Sequence, residues 1–100
     1  MKKIEAIVRK EKFQDVYKVL EKSGVGGITV IPAQGFGHHR NGLKDKYKIE
    51  IYADEFQVDK TVEMIRKAAR TGTTGDGKIA ILPLDNIVRI RTAEEGAIAI

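Results

Sequence analysis

One hundred residues, 42% of them apolar, with a formal net charge of +4 and no cysteine, fit one compact domain and are too few for two. The missing cysteines exclude disulfide scaffolds, Cys-based zinc sites and thiol nucleophiles, and no run approaches the roughly 18 consecutive apolar residues of a membrane span or the apolar core of a secretory signal. A soluble, cytoplasmic protein without direct membrane insertion is expected, and no nucleic-acid partner, because basic residues alternate with acidic ones along Lys10–Lys12 and Asp59–Lys67 instead of clustering.

Lys3 to Arg9 alternates, with Ile4, Ala6 and Val8 on one face and Glu5, Ile7 and Arg9 on the other, which predicts a strand. Phe13, Val16, Tyr17 and Leu20 then fall at i, i+3, i+4 and i+7, a helical stripe that ends near Gly24. Ile28 to Ile31 reads as a second strand closed by Pro32. Lys48-Ile49-Glu50 echoes Lys3-Ile4-Glu5, and Asp54-Glu55-Phe56 follows as another acidic helix start, so internal duplication is the simplest account. Val58, Val62, Ile65 and Ala69 form the second helical stripe, and Lys78 to Leu82 a fourth strand closed by Pro83. A short fifth strand is expected over Ile87 to Arg91, with Val88 and Ile90 facing inward.

The order strand, helix, strand, twice over, predicts a single domain over residues 1–100 of the α+β class, a ferredoxin-like βαββαβ sandwich with both helices on one face of an antiparallel sheet. The other face also carries apolar residues, Ile7 and Tyr52 among them. Further copies of the same chain are the economical cover for it.

Arg70-Thr71-Gly72-Thr73-Thr74-Gly75-Asp76-Gly77-Lys78 concentrates glycine, threonine and lysine between the second helix and fourth strand. Glycines let backbone N–H groups converge on an anion, and a lysine adds a point charge. Gly72 to Lys78 spells GxxxxGK, but Ile79 stands where a Walker loop has Ser or Thr, and a strand follows where that loop needs a helix. A helix cap and turn account for part of the pattern. Arg89 and Arg91, two apart on the expected last strand, emerge on one face, where paired guanidiniums match a phosphate.

With these residues on the page the chain resembles the PII nitrogen-regulatory family. The TGTTGDGKI segment looks like that family's B-loop, and Val88-Arg89-Ile90-Arg91-Thr92 with Glu94-Glu95-Gly96 like its C-terminal loop. Met1 to Val8, Gly26 to Val30 and Gln34-Gly35-Phe36-Gly37 extend the resemblance over nearly the whole chain. It implies a cytoplasmic homotrimer binding ATP or ADP in the clefts between subunits. Gly75, Asp76, Gly77 and Lys78 would meet the phosphates, Arg89 and Arg91 would reach across the interface, and Thr29, Glu50 and Gly35-Phe36-Gly37 would frame the adenosine end and the cleft wall. The chain would then be a nucleotide-sensing regulator of a membrane transporter or metabolic enzyme, and not itself an enzyme.

The resemblance breaks at the family's long T-loop. Here only His38 to Asp45 separate Gly37 from the third strand, about a dozen residues fewer than the family has, and Tyr47 is read as opening a strand instead of accepting a modification. Lys46 matches the lysine of the family's 2-oxoglutarate site. His39, however, stands where the family's Gln helps hold Mg²⁺, and imidazole suits softer metals. The alternative reading is therefore a PII-like trimer responsive to a metal or small anion, using His38 and His39 and associated with ion transport. If both lay on an extended strand their rings would point to opposite sides, so one chain alone would chelate poorly.

Overall fold

The period-two alternation near the N-terminus forms strand β1, Lys2–Arg9, in a computed structural model that describes residues 1–100. Ile4, Ala6 and Val8 are buried on one face, while Ile7 on the other is 41% exposed. A 3₁₀ turn over Lys10–Lys12 leads into helix α1, Phe13–Glu21, which buries Val16 and Leu20. Gly24 beyond it takes φ +84°, a left-handed conformation that glycine adopts without Cβ strain. Strands β2, Thr29–Gly35, and β3, Lys44–Ala53, come next, then helix α2, Glu55–Ala69, and strand β4, Gly77–Pro83.

Helix α2 starts where the sequence says it should. Asp54 accepts a hydrogen bond from Glu55 N at 2.9 Å, and the Gln57 side chain reaches back to Asp54 N at 3.3 Å, a capping box that satisfies donors the helix cannot. Its buried residues are Val58, Thr61, Ile65 and Ala69, with Val62 half-buried beside them. Thr61 is the member that the apolar periodicity does not reveal.

The sheet order is β2-β3-β1-β4, antiparallel throughout. Ile4, Ala6 and Val8 of β1 join Ile49, Ile51 and Ala53 of β3 and the inward faces of both helices in one core cluster. This is the ferredoxin-like α+β arrangement expected from the element order, with α1 and α2 on the same side of the sheet. Pro32 does not close β2. It pairs in register with Tyr47 and the strand runs on to Gly35, which an edge strand permits because one side of it needs no N–H donor. Nor does Tyr47 open β3. The strand begins three residues earlier at Lys44, and the Tyr47 ring packs 4.5 Å from that of Phe13.

The expected fifth strand is reduced to a single bridge between Val88 and Glu95. The chain turns back on itself, with Arg89 N donating to Glu94 O at 2.9 Å and Ala93 N to Arg89 O at 2.8 Å, and closes with a 3₁₀ turn over Gly96–Ala99. The alternation expected of Ile87–Arg91 is lost with the strand. Val88 is 55% exposed and Ile90 fully exposed, neither facing inward.

The face without helices mixes the two chemistries of its sequence. Ile7, Ile31, Tyr52 and Leu82 are exposed there. Between them Lys3 Nζ lies 2.9 Å from Glu5 and 2.8 Å from Glu50, and Lys48 Nζ lies 3.6 Å from each of the same carboxylates. Glu50 and then Glu5 raise the Lys3 ammonium above the usual lysine range, and Lys3 in turn lowers Glu5. Every charge in the square has an opposite neighbour.

Ile49 is fully buried at the centre of the core. Ile49→Ala should cost about 2 to 5 kcal/mol, because the cavity adds to the lost transfer energy. Urea unfolding followed by circular dichroism measures it, and a loss below about 1 kcal/mol would contradict the packing described.

Candidate functional site

Antiparallel pairing brings three distant segments to one end of the sheet. Arg9, the last residue of β1, pairs in register with Lys46 of β3, and Val8 pairs with Gly77 at the start of β4. The connection from α2 to β4, residues 71–76, therefore arrives beside the start of β3 and the short loop between β2 and β3. A pocket of 590 Å³ opens there, lined by Gly35, Phe36 and Gly37, by His39 and Arg40, by Lys44 and Lys46, and by Thr74 and Gly75, with Arg9 and Lys10 at its rim. Arg9, Lys10, Arg40, Lys44 and Lys46 outnumber the carboxylates around them, Glu11 and Asp45 in the lining and Asp76 behind Arg9. The chemistry is that of an anion site.

The glycine-rich loop is already built in the single chain. Asp76 is its hub, accepting from Thr71 N at 2.9 Å, Gly72 N at 2.9 Å, Arg9 Nε at 3.0 Å and the Thr71 hydroxyl. The Asp76 side chain thus shapes the loop instead of pointing at a ligand. Lys46 Nζ donates to Gly75 O at 2.8 Å, tying the loop to β3. Gly75 takes φ +97°, and Gly77 takes φ +107° with its absent Cβ occupying a position 1.7 Å from Ile7 O, so no other residue fits against β1 there. Gly77 is required by the backbone, whatever else it does.

The expected site residues divide into three groups. Gly35, Phe36, Gly37, His39, Lys46 and Gly75 share the pocket. Arg40 Cζ stacks 5.3 Å over the Phe36 ring, fixing the loop wall. Thr29 and Glu50 stand side by side in register at mid-sheet on the open face, where Glu50 is held by Lys3 and Lys48. Lys78 lies on that face too, opposite Ile7.

Arg89 and Arg91 form the third group and lie beyond the opposite end of β4, where Leu84 N donates to Met1 O. Seven residues of strand, roughly 20 Å, separate that end from Gly77. The two arginines differ in state. Arg89 is committed, with Nη1 2.6 Å from Glu94 and Nη2 donating to Ile98 O at 2.8 Å. Arg91 sits in an exposed turn with no ion pair or hydrogen bond of its own. One protomer cannot bring them to its own glycine loop.

His38 and His39 lie in a turn closed by Arg40 N donating to Gly37 O, and only His39 reaches the pocket. No three His, Asp or Glu side chains in the chain converge as a metal site would need. Arg9, Lys10, Arg40 and Lys44 are the cationic site residues that sequence reasoning missed. Alternation put Arg9 on the correct face of β1, but nothing local shows that its partner, Asp76, stands 67 positions away.

The Thr71 hydroxyl first, then the Thr71 and Gly72 amides and Arg9, hold the Asp76 carboxyl well below the usual carboxylate range. A depressed folded-state pKa means that this carboxylate supports the loop fully above the ordinary range and loses that support only as pH falls through its own lowered value. Carboxyl carbon chemical shifts followed down the acid range should therefore show Asp76 still ionised below the ordinary aspartate range. Titration of Asp76 within that range would disprove the hub.

A profile of the family described as nitrogen regulatory protein P-II matches residues 1–94. Nitrogen regulatory protein P-II of Azospirillum brasilense is 40% identical and that of Synechocystis sp. 44% identical, each aligned over 112 positions and covering the whole of both chains. The protein of the same name from Pyropia yezoensis is 44% identical over 92% of this chain and 93% of its own. An alignment of 112 positions to 100 residues leaves 12 without a counterpart here, in keeping with a shortened loop. Proteins of this family are regulatory signal transducers rather than enzymes. By its sequence over nearly its full length, and by the ferredoxin-like sheet on which the loops are mounted, the chain belongs to the nitrogen regulatory protein P-II family.

Proposed function

We propose that the chain is a cytoplasmic, nucleotide-sensing regulator, one domain over residues 1–100, that binds ATP or ADP between subunits of a homotrimer and changes how the loop from Gly35 to Asp45 meets a transporter or metabolic enzyme. The observation that carries the reading is the excess of cations around the 590 Å³ pocket beside a glycine loop whose Thr74 and Gly75 amides make no hydrogen bond within the chain. A polyphosphate supplies the missing acceptors.

Assembly follows from the same geometry. The open face, with Ile7, Ile31, Tyr52 and Leu82 around a charge-paired square, is suited to burial against further copies. Three-fold assembly is typical of the family. It gives Arg91, unpaired in its own chain, the glycine loop of a neighbour to act on. Arg89 would have to exchange Glu94 for phosphate to do the same, so Arg91 is the better candidate of the two.

The residues present fit a nucleotide but not a protein-held Mg²⁺. Glu11 is near Arg9 and Asp45 near Gln34, and no cluster of carboxylates or imidazoles faces the pocket. Magnesium fits as the nucleotide's counter-ion. Lys46 is the pocket group that the resemblance assigns to the carboxylate of a second effector such as 2-oxoglutarate, and it is spent on Gly75 O until something displaces it.

Titration calorimetry with ATP and ADP tests the central claim. Binding at micromolar to low millimolar concentration is expected, and none at millimolar concentration would defeat the reading. Arg91→Ala should weaken binding by about 1.5 to 3 kcal/mol at constant thermal stability if it makes a charge-assisted bond to phosphate. Arg89→Ala should also loosen the C-terminal segment, since it removes the bonds to Glu94 and Ile98 O. Sedimentation equilibrium should give a trimer, and Tyr52→Asp, which adds a charge to the open face, should disperse it. A wild-type chain that remains monomeric at every concentration would refute the assembly.

A further inference from the structure

Arg9 enters the nucleotide reading only as one of the pocket cations, yet it makes more hydrogen bonds to the glycine loop than any other residue outside that loop. Nε donates to Asp76 Oδ1 at 3.0 Å, and Nη2 donates to Thr73 Oγ1 at 3.0 Å and to Thr74 O. Nη1 lies 3.7 Å from Glu11. The guanidinium is a planar fork of fixed donors, so meeting three acceptors at once fixes the loop relative to β1 in a way a lysine ammonium cannot. Gly75 leaves room for it. A Cβ at that position would stand 3.1 Å from Arg9 Nη2.

The consequence concerns which amides the loop keeps for itself. Thr71 N and Gly72 N are spent on Asp76, and Thr73 N on the Thr71 hydroxyl at 3.2 Å. Thr74 and Gly75 N–H have no partner in the chain, whereas Asp76 N–H closes the turn over Thr74 and Gly75. The loop is thus divided into a first half that satisfies itself and a turn that keeps two amides open. Without the guanidinium, the Asp76 carboxylate keeps its bonds to Thr71 and Gly72, but the loop loses its ties to β1 at Asp76, the Thr73 hydroxyl and Thr74 O. The turn that presents the two open amides is then no longer held in place.

We propose that Arg9 is a positioning residue for the polyphosphate loop, acting through Asp76, the Thr73 hydroxyl and Thr74 O to hold the turn that presents the Thr74 and Gly75 amides. The inference rests on the nucleotide reading for its ligand, but the latch exists in the nucleotide-free chain and is testable there.

The experiment has two arms on the wild type and on Arg9→Gln, Arg9→Lys, Asp76→Asn and the double variant Arg9→Gln with Asp76→Asn. In nucleotide-free protein, amide hydrogen exchange at Asp76, whose N–H closes the turn, should quicken about tenfold in Arg9→Gln and remain fast in Arg9→Lys, which keeps the charge but not the fork. Amides of the β1 and α2 interiors should exchange as in the wild type. In calorimetry with ADP, Arg9→Gln should weaken binding about tenfold, and in the double variant should add less than about twofold to the loss from Asp76→Asn alone. Unchanged exchange at Asp76 would remove the latch. Losses that multiply in the double variant would mean that Arg9 acts on the ligand directly, and would overturn the positioning role. A wild-type chain that binds no ADP defeats the nucleotide reading, and with it the ligand that Arg9 positions for, while the exchange arm still upholds or removes the latch itself.

Discussion

Strand β1 is hydrogen-bonded on both sides, to β3 and to β4, and both pairings are antiparallel. That single constraint decides where the chemistry sits. Because both neighbours run against it, the end of β1 lies beside both of their beginnings, and Arg9, Lys46 and the entry to Gly77 meet at one edge of the sheet. The alternation of Ile4, Ala6 and Val8 fixes the register, since a slip of one residue would move all three out of the core. Core packing therefore enforces the position of Arg9 without contacting it.

Charge is distributed by the same scaffold. On the open face Lys3, Glu5, Lys48 and Glu50 compensate one another, whereas at the pocket end five cations line the pocket with two carboxylates, and only Arg9 among them has Asp76 as a further partner. The whole-chain excess of +4 conceals this separation. Desolvating a face of balanced charge against another copy still carries a cost, which the opposite neighbours within the square offset in part. A local excess of cations attracts a polyanion and is most effective where water is partly excluded. The two surfaces are adapted to different partners although they share strands.

Much of this was legible in the sequence because it is local. Period-two alternation gave β1, the 3.6-residue stripes gave both helices, and Asp54-Glu55-Phe56 marked the start of α2. What escaped depends on neighbours that local pattern cannot name. Pro32 reads as a strand terminator unless one knows that β2 lies at the sheet edge. Ile87–Arg91 reads as a strand until Glu94 takes Arg89 and the chain turns back. The glycine loop was conspicuous by composition, but its hub is an ordinary aspartate and its latch an ordinary strand-end arginine. Their roles arise from contacts across 67 positions.

On the proposed reading, the short loop between β2 and β3 limits how a bound nucleotide would be read by a partner. Gly35 and Lys44 are paired, so residues 36–43 close on a fixed base and can extend roughly 14 Å at most. Arg40 over Phe36 holds the tip back further. A loop of this length cannot reach into a distant cavity, and a partner must come to the rim of the pocket itself. There Lys46 links the two loops, through its strand on one side and Gly75 O on the other. On that reading, a phosphate that draws Lys46 from Gly75 O would loosen the glycine loop from β3 while adding charge beside Phe36 and Arg40. The signal would then be a change in the local charge and rigidity of the rim, transmitted over one side chain, rather than the movement of a long arm.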